Sequence, residues 1–164
     1  MSAWLERIVQ IALLRAGPQD LPGGTAPLIA AFLLWWLLVV PMLLLAPEPL
    51  PPADAVLTFA IQLALVHLVL LVHRRPRRFA QTAQALFATG ALIGLLNLPL
   101  WLAPGPPIPA PFVLLAVTGL CWSLAVDGHV WRHALELPYA GGLAVAVLVF
   151  LLQIVALQAI GLGS

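Results

Sequence analysis

Hydrophobic residues run through this chain in long unbroken stretches, without the apolar–polar alternation that marks membrane strands. A helix needs about 20 apolar residues to cross the hydrocarbon core. Five segments meet that length: 25–46, 55–73, 79–103, 112–135 and 139–162. Pro41 is expected to kink the first, and Pro99 falls near the end of the third. The connections are short and rich in breakers: Pro47 to Pro52, the run Arg74-Arg75-Pro76-Arg77-Arg78, and Pro104 to Pro109. None can hold a soluble domain. The pattern predicts an all-α integral membrane bundle with five transmembrane helices.

The segment before the first span follows another rule. From Ser2 to Ala16, Glu6, Arg7 and Gln10 share one helical arc, while Trp4, Leu5, Ile8, Val9 and Ala12 share the opposite one. That spacing predicts an amphipathic helix lying at the membrane surface, in a region 1–24 preceding the membrane domain 25–164. A signal peptide is not expected. The apolar core is short, and Glu6 sits where a basic region belongs.

Composition turns the pattern into a class. Hydrophobic residues make up 63% of the 164, and only 8% are charged, too few to clothe such an apolar mass in water. A soluble enzyme, a nucleic-acid binder and a disordered regulator are excluded. The single cysteine, Cys121, rules out an intrachain disulfide and a cysteine-built zinc site, and reads as a small hydrophobe. All seven basic residues are arginines: Arg7, Arg15, Arg74, Arg75, Arg77, Arg78 and Arg132. With five spans they fall on one side, while the opposite loops carry only Glu48 and Asp54. By the positive-inside rule the N-terminus is cytoplasmic and the C-terminus lies beyond the membrane. The arginine bias and the Ala, Leu, Pro and Gly richness fit a GC-rich bacterial genome, hence an inner-membrane address with a periplasmic C-terminus. Trp101 suits the outer interface, and Phe79, Trp131 and Tyr139 the inner one. The Trp35–Trp36 pair lies mid-span and is expected to pack on neighbouring helices.

Small residues mark helix contacts: Gly90 with Gly94, Gly119 with Ser123, and Gly142 with Ala146. They can join spans of one chain or two chains, so a homodimer or another membrane-protein partner stays open. Ionisable groups within spans are functional candidates by default. They are His67 on the cytoplasmic half of span two, and Asp127, His129 and His133 on span four, the two histidines sharing one helical face. Arg132 and Glu136 have the spacing of an i, i+4 pair. Three readings compete for this polar cluster: a metal or haem site, a proton or ion relay opening to the cytoplasm, and structural hydrogen bonding. Arg74, Arg75, Arg77 and Arg78 read first as a topology determinant and also as a contact for anionic lipid headgroups. Nucleic-acid binding is not expected of so short a loop against the bilayer. No nucleophile elbow, P-loop or dinucleotide fingerprint is present.

Two local runs add a resemblance. Asp20-Leu21-Pro22-Gly23-Gly24 is similar to the Asp-Leu-aromatic-Gly-Pro element before the first span of the Ypt-interacting-protein (Yip) family. Residues 114–126, with Trp122-Ser123, resemble an apolar run late in bacterial members. Pro22 stands for the aromatic residue and Gly24 for the proline. The resemblance implies a five-span fold and a membrane address. It does not carry over GTPase binding, because the long cytosolic N-terminal region of eukaryotic members is missing. The leading expectation is a non-enzymatic scaffold or membrane-organising protein without a cofactor. A proton- or ion-coupled transporter or accessory component using Asp127, His67 and His129 comes second. A haem- or quinone-associated subunit comes third.

Overall fold

A computed structural model describes residues 3–45, 52–101 and 108–159. These form α1 (Ala3–Ala12), α2 (Thr25–Leu45), α3 (Pro52–Val72), α4 (Phe79–Leu96), α5 (Leu98–Trp101), α6 (Ala110–Leu135) and α7 (Tyr139–Ala159). One-turn 3-10 helices at Pro18–Asp20 and Pro76–Arg78 complete the described elements. The chain is an all-α, multi-pass membrane bundle. Among the described residues four helices are long and apolar enough to cross a bilayer, and α2 adds a shorter apolar stretch over Thr25–Leu38. The loops around Glu48 and Pro104, and the expected span ends beyond Trp101 and Ala159, lie outside the described residues.

The third span, expected as one run over 79–103, is instead interrupted near Pro99. α4 stops at Leu96, and the Asn97 N–H is shared between the Ile93 and Gly94 carbonyls. Pro99 has no N–H to continue the ladder, so α5 restarts as a separate turn. Its companion Pro41 does not end α2, which remains helical to Leu45.

α4 is the central helix. Thr82 to Thr89 are all buried, with α2, α6, α1 and α3 packed around them. Thr82, Gln84 and Thr89 are polar, and Thr89 Oγ1 donates to the Ala85 carbonyl at 2.7 Å, within its own helix. Phe87 meets Phe59 of α3, with ring centroids 4.5 Å apart, and Trp35 of α2 at 6.0 Å. Phe32 joins the same stack at 4.4 Å from Phe59. Mid-span Trp35 thus packs between helices, as the sequence implies. Trp36 turns edge-on to Phe32 and to its neighbour Trp35.

The amphipathic α1 packs on the bundle. Ile8 and Ile11 are fully buried, in one cluster with Phe87 and Trp131 of the bundle. Its apolar face docks on its own protein first. Val9 and Leu13, 38% and 48% exposed, stay outside that contact.

The tightest helix pair is α6 with α7. A Cβ on Gly142 would press into the Gly128 carbonyl oxygen and the Arg132 backbone nitrogen. One on Gly128 would come 3.0 Å from Leu143 Cα. Backbone lies against backbone, which only small residues permit. Gly90 is different, since a Cβ there meets nothing within 4 Å. Gly142→Ala should therefore cost about 1–3 kcal/mol or more through overpacking. Gly90→Ala should be neutral or gain up to about 1 kcal/mol in helix propensity. Thermal unfolding of the two variants in one detergent checks the contrast, and equal losses would contradict it.

Candidate functional site

Three chain reversals gather the arginines at one end of the bundle. α1, α3 and α6 each end with a non-glycine residue in the left-handed region: Leu14 at φ 61°, Arg74 at 58° and Glu136 at 57°. Each is followed by an N–H that reaches back five residues: Arg15 to Gln10, Arg75 to Leu70 and Leu137 to Arg132. This Schellman closure satisfies carbonyls that the helix itself leaves orphaned. It costs each of these residues roughly 1–2 kcal/mol of backbone strain, which glycine would avoid.

Side chains then tie the three reversals together. Arg78 Nη1 donates to the His133 and Ala134 carbonyls of α6 at 2.9 and 3.0 Å. Arg75 and Arg78 both pair with the Glu136 carboxylate. The i, i+4 pairing of Arg132 with Glu136 expected from spacing does not form. Glu136 has already left helical geometry, and its side chain turns to the α3–α4 loop instead. The Arg75 and Arg78 hydrogen bonds hold its carboxyl well below the usual range, at about 2. The Arg75 guanidinium is raised in turn by Glu136. Two of the four loop arginines are thus engaged within the protein, while Arg74 and Arg77 are exposed.

Glutamines bind the N-terminal segment to the same end. Gln81 donates to the Leu21 carbonyl at 2.8 Å. Gln84 is fully buried, accepting from Trp4 Nε1 at 2.8 Å and donating to the Pro22 carbonyl at 3.2 Å. A buried amide is tolerated when both its ends are satisfied.

The four intramembrane candidates separate. His129 and His133 come together, with ring centroids 4.6 Å apart. His129 Nε2 donates to the Ala16 carbonyl at 2.9 Å, and Gln19 lies 3.4 Å from His133 Nδ1. Asp127 precedes His129 by two residues, so the two side chains leave α6 about 200° apart. His67 is exposed, edge-on to Phe79 at 5.4 Å. Of the cavities described, none is lined by Asp127 or His67. Among the described residues, no three His, Cys, Asp or Glu side chains are grouped to hold a metal ion.

The histidines do line one cavity, of about 450 Å³, between the turn after α1 and the junction of α6 with α7. Arg15, Arg132, Asp20 and Tyr139 share its wall. Asp20 Oδ2 is held within its own turn by the Gly17 N–H at 2.9 Å. The sequence signal for this cavity was weak. His129 and His133 carry helical spacing, but their partners lie 113 and 114 residues earlier.

The lowered Glu136 pKa has a definite sign. Its ion pairs add stability that is full above about pH 4.5 and lost as pH falls through about 2. Unfolding midpoints of the wild type and Glu136→Gln should differ at pH 6 and converge towards pH 2. A constant difference across that window would contradict the pairing.

Comparison of the chain with family models, curated proteins and solved structures gives no match. The Yip-like resemblance therefore rests on residues 20–24 and 114–126 and on topology alone.

Proposed function

We propose that this chain is a five-span bacterial inner-membrane protein, with a cytoplasmic N-terminus and a periplasmic C-terminus. It acts without catalysis as a scaffold or membrane-organising partner. The observation that carries this reading is the arginine end. There Arg75, Arg78, Glu136, Gln81, Gln84 and His129 all hold one segment of the protein to another. Their polar groups serve a fixed platform.

The element order supports five crossings. α2 leaves the arginine end, α3 returns to it, α4 leaves, α6 returns and α7 leaves. At 21 residues α2 is about 31 Å long, matching a hydrocarbon core of about 30 Å. The same end holds all seven arginines, which favours the cytoplasmic side. Exposed apolar residues such as Leu37, Leu68, Leu114 and Val155 give the outer faces to lipid or to a partner's helices. The Yip-like resemblance agrees with this topology. Arg74 and Arg77 are left for anionic headgroups.

The transport reading drew on Asp127, His129 and His67 as one cluster. The roughly 200° between Asp127 and His129 weakens it, and a haem- or quinone-associated role has less support still. Proteoliposomes loaded with a pH-sensitive dye distinguish the readings. Under an imposed gradient the proposal expects proton flux equal to that of empty vesicles, unchanged by Asp127→Asn. Flux above that level, abolished by Asp127→Asn, would overturn the scaffold reading in favour of transport.

A further inference from the structure

The cavity beside His129 has a charge and a setting that neither the loop arginines nor the scaffold reading uses. Arg15 and Arg132 face it against a single carboxylate, Asp20, which already accepts the Gly17 N–H. The first turn of α7 opens on it at Tyr139, and the first N–H groups of a helix have no acceptor within the helix. Two guanidiniums and the His133 imidazole, beside the first turn of α7, suit a phosphate ester.

The cavity's position selects the kind of phosphate. α6 has 26 residues and is about 39 Å long, exceeding the hydrocarbon core by about 9 Å. With that excess at the arginine end, Arg132 and His133 reach the headgroup layer and His129 lies at its edge. On the same face, towards the bilayer centre, the helical spacing brings Ala125, Trp122, Thr118 and Leu114 in succession. Trp122 and Leu114 are 42% and 69% exposed. From Ala125 to Leu114 the stripe rises about 16 Å, close to the half-thickness of the hydrocarbon core. A polar socket at the interface thus continues into an apolar track one leaflet deep.

We propose that this cavity is a binding site for the phosphate headgroup of an anionic phospholipid, whose acyl chain lies along the outer face of α6. Arg15 and Arg132 carry the charge recognition. Tyr139, whose hydroxyl donates to the Ala125 carbonyl at 3.3 Å, forms the wall where headgroup gives way to chain. The proposal goes beyond the scaffold reading and shares with it only the membrane-spanning bundle. Loss of lipid binding would leave the flux result unaffected.

Native mass spectrometry of the full chain, delipidated and titrated with phosphatidylglycerol, tests it. Arg15→Gln with Arg132→Gln should weaken retention of the lipid by about tenfold or more. Arg7→Gln, at an exposed position of α1 outside the cavity, should change it by less than about twofold. Millimolar inorganic phosphate should leave retention intact, because the track adds the chain's contacts. Equal losses in the Arg15/Arg132 double variant and in Arg7→Gln, or none in either, would overturn the proposal, as would full displacement by inorganic phosphate. The wild-type protein gives a readout independent of variant folding. An acyl-chain photo-crosslinking phosphatidylglycerol should mark residues 114–125 of α6, and adducts confined to other helices would also overturn it.

Discussion

The last turn of α6 leaves carbonyls without partners inside the helix, and Arg78 supplies donors to two of them from the α3–α4 loop. Its guanidinium bonds to His133 and Ala134 while its other nitrogen pairs with Glu136. One side chain therefore closes a helix, fixes a turn and neutralises a carboxylate. Arg75 adds a second cation to Glu136 from the same loop. An isolated exposed ion pair would contribute little. Here the geometry is shared with a helix cap, and that sharing sets where the α3–α4 reversal sits relative to the α6–α7 reversal.

The remaining packing follows from that registration. With its C-terminal end placed, α6 lies against α7 closely enough for Gly128 and Gly142 to bring backbones together. α4 starts directly after Arg78, so its polar face of Gln81 and Gln84 meets the linker at Leu21 and Pro22. The aromatic stack of Phe32, Trp35, Phe59 and Phe87 fills the space deeper in the bundle. Polar bonding is thus concentrated at one end, and apolar packing serves the rest.

Much of the architecture was legible because lipid imposes a crude rule. Continuous apolar runs and breaker-rich turns located the long helices to within a few residues, with α6 starting at Ala110 where the apolar run suggests Phe112. The break after α4 was not legible, because the apolar run reads as one span to residue 103 and Pro99 only as lying near its end. What stayed hidden depends on partners distant in sequence. Gly90 and Gly142 carry the same small-residue spacing, yet only Gly142 meets another backbone. Arg132 and Glu136 have ideal spacing for a pair, but a left-handed turn at Glu136 redirects it. Leu14, Arg74 and Glu136 end helices where no glycine signals an end. The cavity was invisible for the same reason: it joins the turn after α1 to the end of α6, so no local pattern contains it.

In the proposed orientation, three reversals distant in sequence form one arginine-rich end facing the cytoplasm. Single cysteines test it directly in a Cys121→Ser background, through Arg7→Cys, Arg77→Cys and Pro138→Cys, all at exposed positions. Labelling with a membrane-impermeant maleimide in right-side-out and inverted vesicles reports the side of each. All three should react only when the cytoplasmic face is outward. Reaction of any one of them from the opposite face would contradict it.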